Sequence, residues 1–299
     1  MSNSSDDLGG ILDVGGAWRE LGSPIPTALV NARLELHWAA QVVGSVGHTF
    51  APPVADDSHT ALQWGSHAGM LVGARVGDAA GFRAGLALAR EALRVVADPG
   101  GEVVDEFVLA GHTLDEAYAW MAGRLAESSG GQLSGPLARR DYQMPLHPVA
   151  EGATFAGDDL RACAELARWF ANSWQVLDAL GRARSEASPV RVWPHHFDIA
   201  TLLSVPGGTA DHPRSVGVGM TPGDASYAEP YWYVTPWPYP ENPTLPPLAG
   251  EGRWHSEGWT GAVLLGTDCV LAGRGAAQAT RVAEFLESAI AAAVRLVTT

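Results

Sequence analysis

Between Ser188 and Gly266 the chain carries five strand-like runs, at 190–193, 197–205, 215–220, 231–235 and 261–265, separated by turns and loops with no helical stretch. Parallel neighbours need long crossover connections, usually helices. These strands are therefore expected to pair antiparallel, and a doubly wound parallel sheet is disfavoured. Helical periodicity lies outside this region. Leu29, Ala32, Leu36, Ala40, Val43 and Gly47 predict a helix over 24–48, capped by Ser23 with Pro24 at its first position and stopped by Ala51-Pro52-Pro53. Asp158 or Asp159 caps a second helix over 158–182, with Leu166, Phe170, Trp174 and Leu177 as its apolar stripe, and a third spans 276–297. The predicted fold is α+β: antiparallel sheet or sheets packed against three long helices.

Smaller elements fill in the first half. Strands are expected at 61–65, 70–76 and 103–109, and Thr113-Leu114-Asp115-Glu116 reads as a capping box for a helix over 114–127. The stretch 82–97 fits a helix and a strand equally well, and Asp98-Pro99-Gly100-Gly101 after it is a turn. Residues 1–16 read as a flexible acidic tail and 17–299 as a single domain, with 17–130 and 150–299 as candidate related halves and Gly130-Gly131 as their boundary.

Composition removes several chemistries. The net charge is −14 and all 19 basic residues are arginine, so nucleic-acid binding is not expected. The absence of lysine excludes Schiff-base and pyridoxal-phosphate chemistry and a phosphate-loop lysine. No G-x-G-x-x-G dinucleotide fingerprint follows a strand, and Gly65-Ser66-His67-Ala68-Gly69 fails as a nucleophile elbow because its serine is displaced. Two cysteines, Cys163 and Cys269, are too few for a disulfide framework or a cysteine zinc site and read as core residues. With neither a signal-like N-terminus nor an 18-residue apolar run, a cytoplasmic protein without a membrane partner is expected.

The densest polar chemistry is Val190–Val205, which carries Trp193, His195, His196 and Asp198. As a strand it would place His196 and Asp198 on one face, so that Asp198 orients the imidazole of a catalytic pair. Pro194 marks a strand start, an edge or a bulge, and the segment reads equally well as a strand-initiating turn whose polar groups satisfy buried backbone. Tyr227–Tyr239 holds four of the six tyrosines and reads as an aromatic wall, with Tyr231 and Trp232 as binding residues and Glu229 as a second carboxyl group. A loop over 247–258 carries His255 and Glu257 as a candidate lid, and His37 and Gln41 share one helix face, lining a pocket or facing solvent. No recognised metal-ligand spacing is present, although His195, His196, Asp198, Glu229 and His255 leave room for a divalent metal brought together by the fold. The expected function is an enzyme performing acid–base chemistry on a small molecule through Asp198, His196 and Glu229. The alternative is a non-catalytic ligand- or partner-binding protein that uses segment 227–239.

Leu36, His37, Gln41, Val43 and Gly44, then Ala51-Pro52-Pro53, Ser188-Pro189-Val190, Trp193, Phe197-Asp198-Ile199, Pro222-Gly223 and Pro230-Tyr231 follow one another in this order. In that order the chain resembles a bacterial domain-of-unknown-function family over residues 30–295. It departs from the family pattern after Ala-Pro-Pro, where Val54-Ala55-Asp56-Asp57-Ser58-His59 stands in place of an Asn-His-Trp-Trp-like run. The family often has small or polar residues at the positions of His195 and His196. The resemblance implies an architecture and no activity.

Overall fold

The computed structural model describes residues 17–65, 69–78, 81–209, 211–241 and 244–298. The tail at 1–16 and Ser66-His67-Ala68 lie outside the described residues. The architecture is α+β with two antiparallel sheets. Its helices are α1 (Val30–Phe50), α2 (Leu114–Ser128), α3 (Leu160–Ala183), the short α4 (Gly266–Leu271) and α5 (Ala276–Thr298). No helix among the described residues is long and apolar enough to cross a membrane. The chain divides into two compact units: unit 1 is Met1–Thr27, Arg168–Val190 and Ile199–Thr299, and unit 2 is Ala28–Ala167 and Arg191–Asp198.

The predicted start of the first helix is corrected. Pro26–Ala28 form a 3-10 turn and α1 begins at Val30, with Leu29 at its N-cap and no side-chain cap. The Ser23–Pro24 bond is cis, and Ser23 lies well before the helix it was expected to cap. The other caps form as their residue types dictate. Thr113 and Glu116 complete the capping box of α2, and Asp159 accepts the Ala162 amide at 2.9 Å at the start of α3.

Unit 2 contains a five-stranded meander in the order β1 (Gln63–Gly65), β2 (Met70–Val72), β3 (Gly81–Ala87), β4 (Ala92–Asp98) and β5 (Val103–Val108). The ambiguous stretch 82–97 is therefore two strands, paired from Gly81↔Asp98 to Ala87↔Ala92. They are joined by a 3-10 turn, Leu88–Arg90, and by Glu91 in the left-handed region at φ 47°. Helices α1 and α2 pack on this sheet and on each other. Close approach explains one glycine of α1: a Cβ on Gly47 would lie 2.1 Å from the His59 carbonyl oxygen. The short strand β6 (Arg191–Trp193) joins the unit through the Leu62–Val192 bridge.

Unit 1 contributes β7 (Asp198–Ser204, from Ile199 onward), β8 (Ser215–Thr221), β9 (Tyr231–Trp237), β10 (Arg253–His255) and β11 (Gly261–Leu265), in the order β10-β11-β9-β8-β7. Trp232, Val234 and Pro236 alternate along β9 as its buried face, and α5 packs on β8, β9 and β11. Pro236 lies past the last β9–β11 pair, Val234 with Ala262, at the end of the ladder where a proline is tolerated. The N-terminal segment is pinned by Gln278, whose amide oxygen accepts from the Trp18 indole (3.1 Å) and the Leu21 amide (2.9 Å). Its amide nitrogen donates to the Leu21 and Gly273 carbonyls.

Candidate functional site

The Trp193–Phe197 segment is a turn, the second of the two readings, so His195, His196 and Asp198 do not alternate as on a strand. The His196 and Phe197 amides donate to the Trp193 carbonyl at 3.2 and 2.7 Å, and Phe197 takes φ 57°. The reversal leaves His196 exposed, while Asp198 is buried at the start of β7. Two side chains of α1 hold this turn. His37 Nε2 lies 2.8 Å and Gln41 Nε2 2.7 Å from the Pro194 carbonyl oxygen. A carbonyl can only accept, so His37 carries its proton on Nε2. Its ring also stacks on Phe197, with centroids 5.2 Å apart and planes 9° apart. Burial pulls the His37 pKa down to about 4, so it is a neutral donor at neutral pH. His37 and Gln41 are thus buried scaffold, neither facing solvent nor free for chemistry.

His195 packs 4.2 Å from His196 and 5.3 Å from Tyr142, centroid to centroid, and Trp193 stands edge-on to it at 6.0 Å. Burial, reinforced by His196, lowers the His195 pKa to about 4. Arg140 pairs with Asp57 at 2.7 Å and lies over the Tyr142 ring. The crevice beside this turn, lined by Gln41, Ser45, Thr60, Arg140, Tyr142 and Pro194 among others, is too narrow to admit a water.

In unit 1, the other expected site residues take separate roles. Glu229 Oε2 accepts from both the backbone N–H and the hydroxyl of Thr267, each at 2.6 Å, at the first turn of α4. Its carboxylate is thereby committed to a cap. Trp232 is fully buried core, not a pocket wall. The stretch expected to be a lid contains β10, an edge strand paired with β11. His255 on that strand faces the Glu257 carbonyl through Nε2 (2.8 Å) and the Tyr227 hydroxyl through Nδ1 (3.0 Å). Nε2 must therefore carry the proton, and in the neutral ring Nδ1 accepts from Tyr227. The Trp259 ring stacks on His255 at 4.3 Å. Glu257 itself offers its backbone carbonyl here, and its side chain is exposed.

Sequence reasoning missed Asp224, which organises this corner. Its Oδ2 accepts from the Tyr231 hydroxyl (2.6 Å), and its Oδ1 accepts from the Ser226 and Tyr227 amides (2.8 and 3.1 Å). Pro222-Gly223-Asp224-Ala225-Ser226 carries the signature of an Asx turn, the signal that could have found it. Also missed is an open groove of about 500 Å³, lined by Pro240, Glu241, Thr244, Pro246, Ala292, Arg295 and Leu296. Just before it along the chain, Trp237 and Tyr239 stand edge to face at 5.3 Å, and both are exposed. Among the described residues, no group of three or more His, Cys, Asp or Glu is placed to hold a metal ion.

Comparison with family models, with characterised proteins and with solved structures returns no match to this chain.

Proposed function

We propose that the protein binds a small organic ligand without transforming it, in the groove that Pro240, Glu241, Thr244 and Pro246 line together with the last turns of α5. The observation that carries this reading is the groove itself. Its volume of about 500 Å³ falls within the range of small-molecule sites. Its apolar lining of Pro240, Pro246, Ala292 and Leu296 is joined by a few polar groups, Glu241, Thr244 and Arg295. A ligand with a flat apolar body and one hydrogen-bonding end suits that lining. Trp237 and Tyr239, exposed shortly before Pro240 along the chain, offer ring faces at low entropic cost. The acid–base reading has less support: Glu229 is held by Thr267, and His196 is exposed while Asp198 is buried.

The test is a thermal-shift screen of small aromatic and alicyclic compounds, with each hit incubated with the protein and recovered for mass spectrometry. The proposal expects compounds that raise the melting temperature and return with unchanged mass. A hit returned with altered mass favours catalysis, and a screen in which no compound shifts the melting temperature removes the small-molecule reading.

A further inference from the structure

Glu35 and Glu91 of unit 2 are 4% and 2% exposed and take no part in the reading above. Glu35 projects from α1. Glu91 follows the 3-10 turn after β3, and its left-handed backbone (φ 47°) would ordinarily be given to glycine. That backbone is fixed on both sides: its amide donates to the Leu88 carbonyl, and its carbonyl accepts from the Leu109 amide, each at 3.0 Å. The two side chains reach the same stretch of backbone: Glu35 meets the Ala156 amide, and Glu91 Oε2 lies beside the adjoining Gly157. Glu35 Oε1 already accepts from the Asn31 amide group and the Ala156 backbone N–H, both at 3.3 Å. Glu91 Oε1 is buried and has no hydrogen-bond donor among the described residues.

Two ionised carboxylates buried against the same segment repel one another, and one proton held between them relieves that repulsion. The charged groups facing the pair do not substitute for it. Asp158 faces Glu91 from the segment ahead of α3, Asp159 lies beside it, and Cys163 of α3 is a buried thiol whose pKa is pushed well up by burial. That segment lies directly over the pair: a Cβ on Gly157 would stand 3.6 Å from Glu91 Oε2 and 2.2 Å from the Ala110 Cβ. It is tied down through Phe155, whose carbonyl accepts from Gly111 and whose amide donates to His112, both at 2.9 Å.

We propose that Glu35 and Glu91 share one proton and form a pH-operated latch, which holds the turn after β3 to α1 beneath the Phe155–Asp158 segment and lets that segment lift when the proton leaves. Burial, then the contact with Glu35 and the charge of Asp158, push the Glu91 carboxyl up to about 8 from an ordinary 4.5. A folded-state pKa raised in a carboxyl gives stability that is whole below 4.5 and is lost as pH rises towards 8. The latch therefore loosens across that window and reaches its floor above it.

Hydrogen exchange at the Gly111 and Phe155 amides, corrected for the intrinsic pH dependence of exchange, reads the latch directly. In the wild type, protection is expected to fall about tenfold per pH unit from pH 6 towards 8 and then level off, the slope of one proton. In Glu91→Gln, which keeps a hydrogen-bonding side chain but cannot ionise, protection is expected to be flat over the same range. Carbon-13 NMR of the wild-type carboxyl groups keeps the proposal testable if that variant fails to fold, because one buried carboxyl must titrate above pH 7. Carboxyl resonances that all titrate below pH 6, or the same pH slope in Glu91→Gln as in the wild type, would overturn it.

Discussion

The doubly bonded Pro194 carbonyl gives a prediction whose size follows from counting donors. His37→Phe removes one buried hydrogen bond of 2.8 Å and keeps a ring stacked on Phe197. Gln41→Leu removes the other bond, of 2.7 Å, at nearly constant volume. Each single change leaves the carbonyl one donor, so each is expected to cost about 1 kcal/mol, the net worth of an ordinary hydrogen bond. The double variant leaves a buried carbonyl with neither side-chain donor, which adds a desolvation penalty of about 1–3 kcal/mol. The pair should therefore be more destabilising than the sum of its parts by that amount. Urea unfolding at pH 7.5, followed by tryptophan fluorescence, closes the double-mutant cycle. If the double variant equals the sum of the singles within about 0.5 kcal/mol, the shared carbonyl is not what holds the turn.

Two further outcomes are expected. Gly47→Ala must push its methyl group into the His59 backbone carbonyl, 2.1 Å away, and should destabilise by about 1–3 kcal/mol or more, read as a fall in the urea midpoint. His37 and His195 stay neutral down to about pH 4, whereas an unfolded histidine titrates near 6.5. The stability they contribute is whole above pH 6.5 and is lost as pH falls towards 4. Their ring resonances should stay unshifted from pH 7 to 5, and the melting temperature should fall less steeply on the acid side in His37→Phe than in the wild type.

What could be read from the sequence was whatever depends on local pattern. The helix-free spacing between Ser188 and Gly266 implied antiparallel pairing, and Thr113 and Glu116 announced their capping box. Local pattern failed where an ordinary residue takes a positive φ. Glu91 reverses β3 into β4, and Phe197 ends the histidine turn, both at positive φ with ordinary side chains. The periodicity of 82–97 fits helix and strand alike and marks no reversal at Glu91. Ser23-Pro24 misled in the opposite sense, because a capping pair six residues too early was followed by a 3-10 turn. The site was less legible than the fold, because partners far apart in sequence decide what a polar residue does. Glu229 was expected to do acid–base chemistry until Thr267 appeared beside it, and His37 to line a pocket or face solvent until Pro194 did. The groove joins residues some fifty positions apart, Pro240 and Pro246 with Ala292 and Leu296, and no spacing rule encodes it.

The most direct measurement is calorimetric titration of one ligand from the screen into the wild type, Leu296→Trp and Asp198→Asn. Leu296→Trp fills the groove from α5, whereas Asp198 stands at the buried start of β7. Groove binding predicts a Kd at least about tenfold weaker in Leu296→Trp, a loss of about 1.4 kcal/mol or more, and within about twofold of wild type in Asp198→Asn. Binding that survives Leu296→Trp and is lost in Asp198→Asn would contradict it and return the function to the histidine turn.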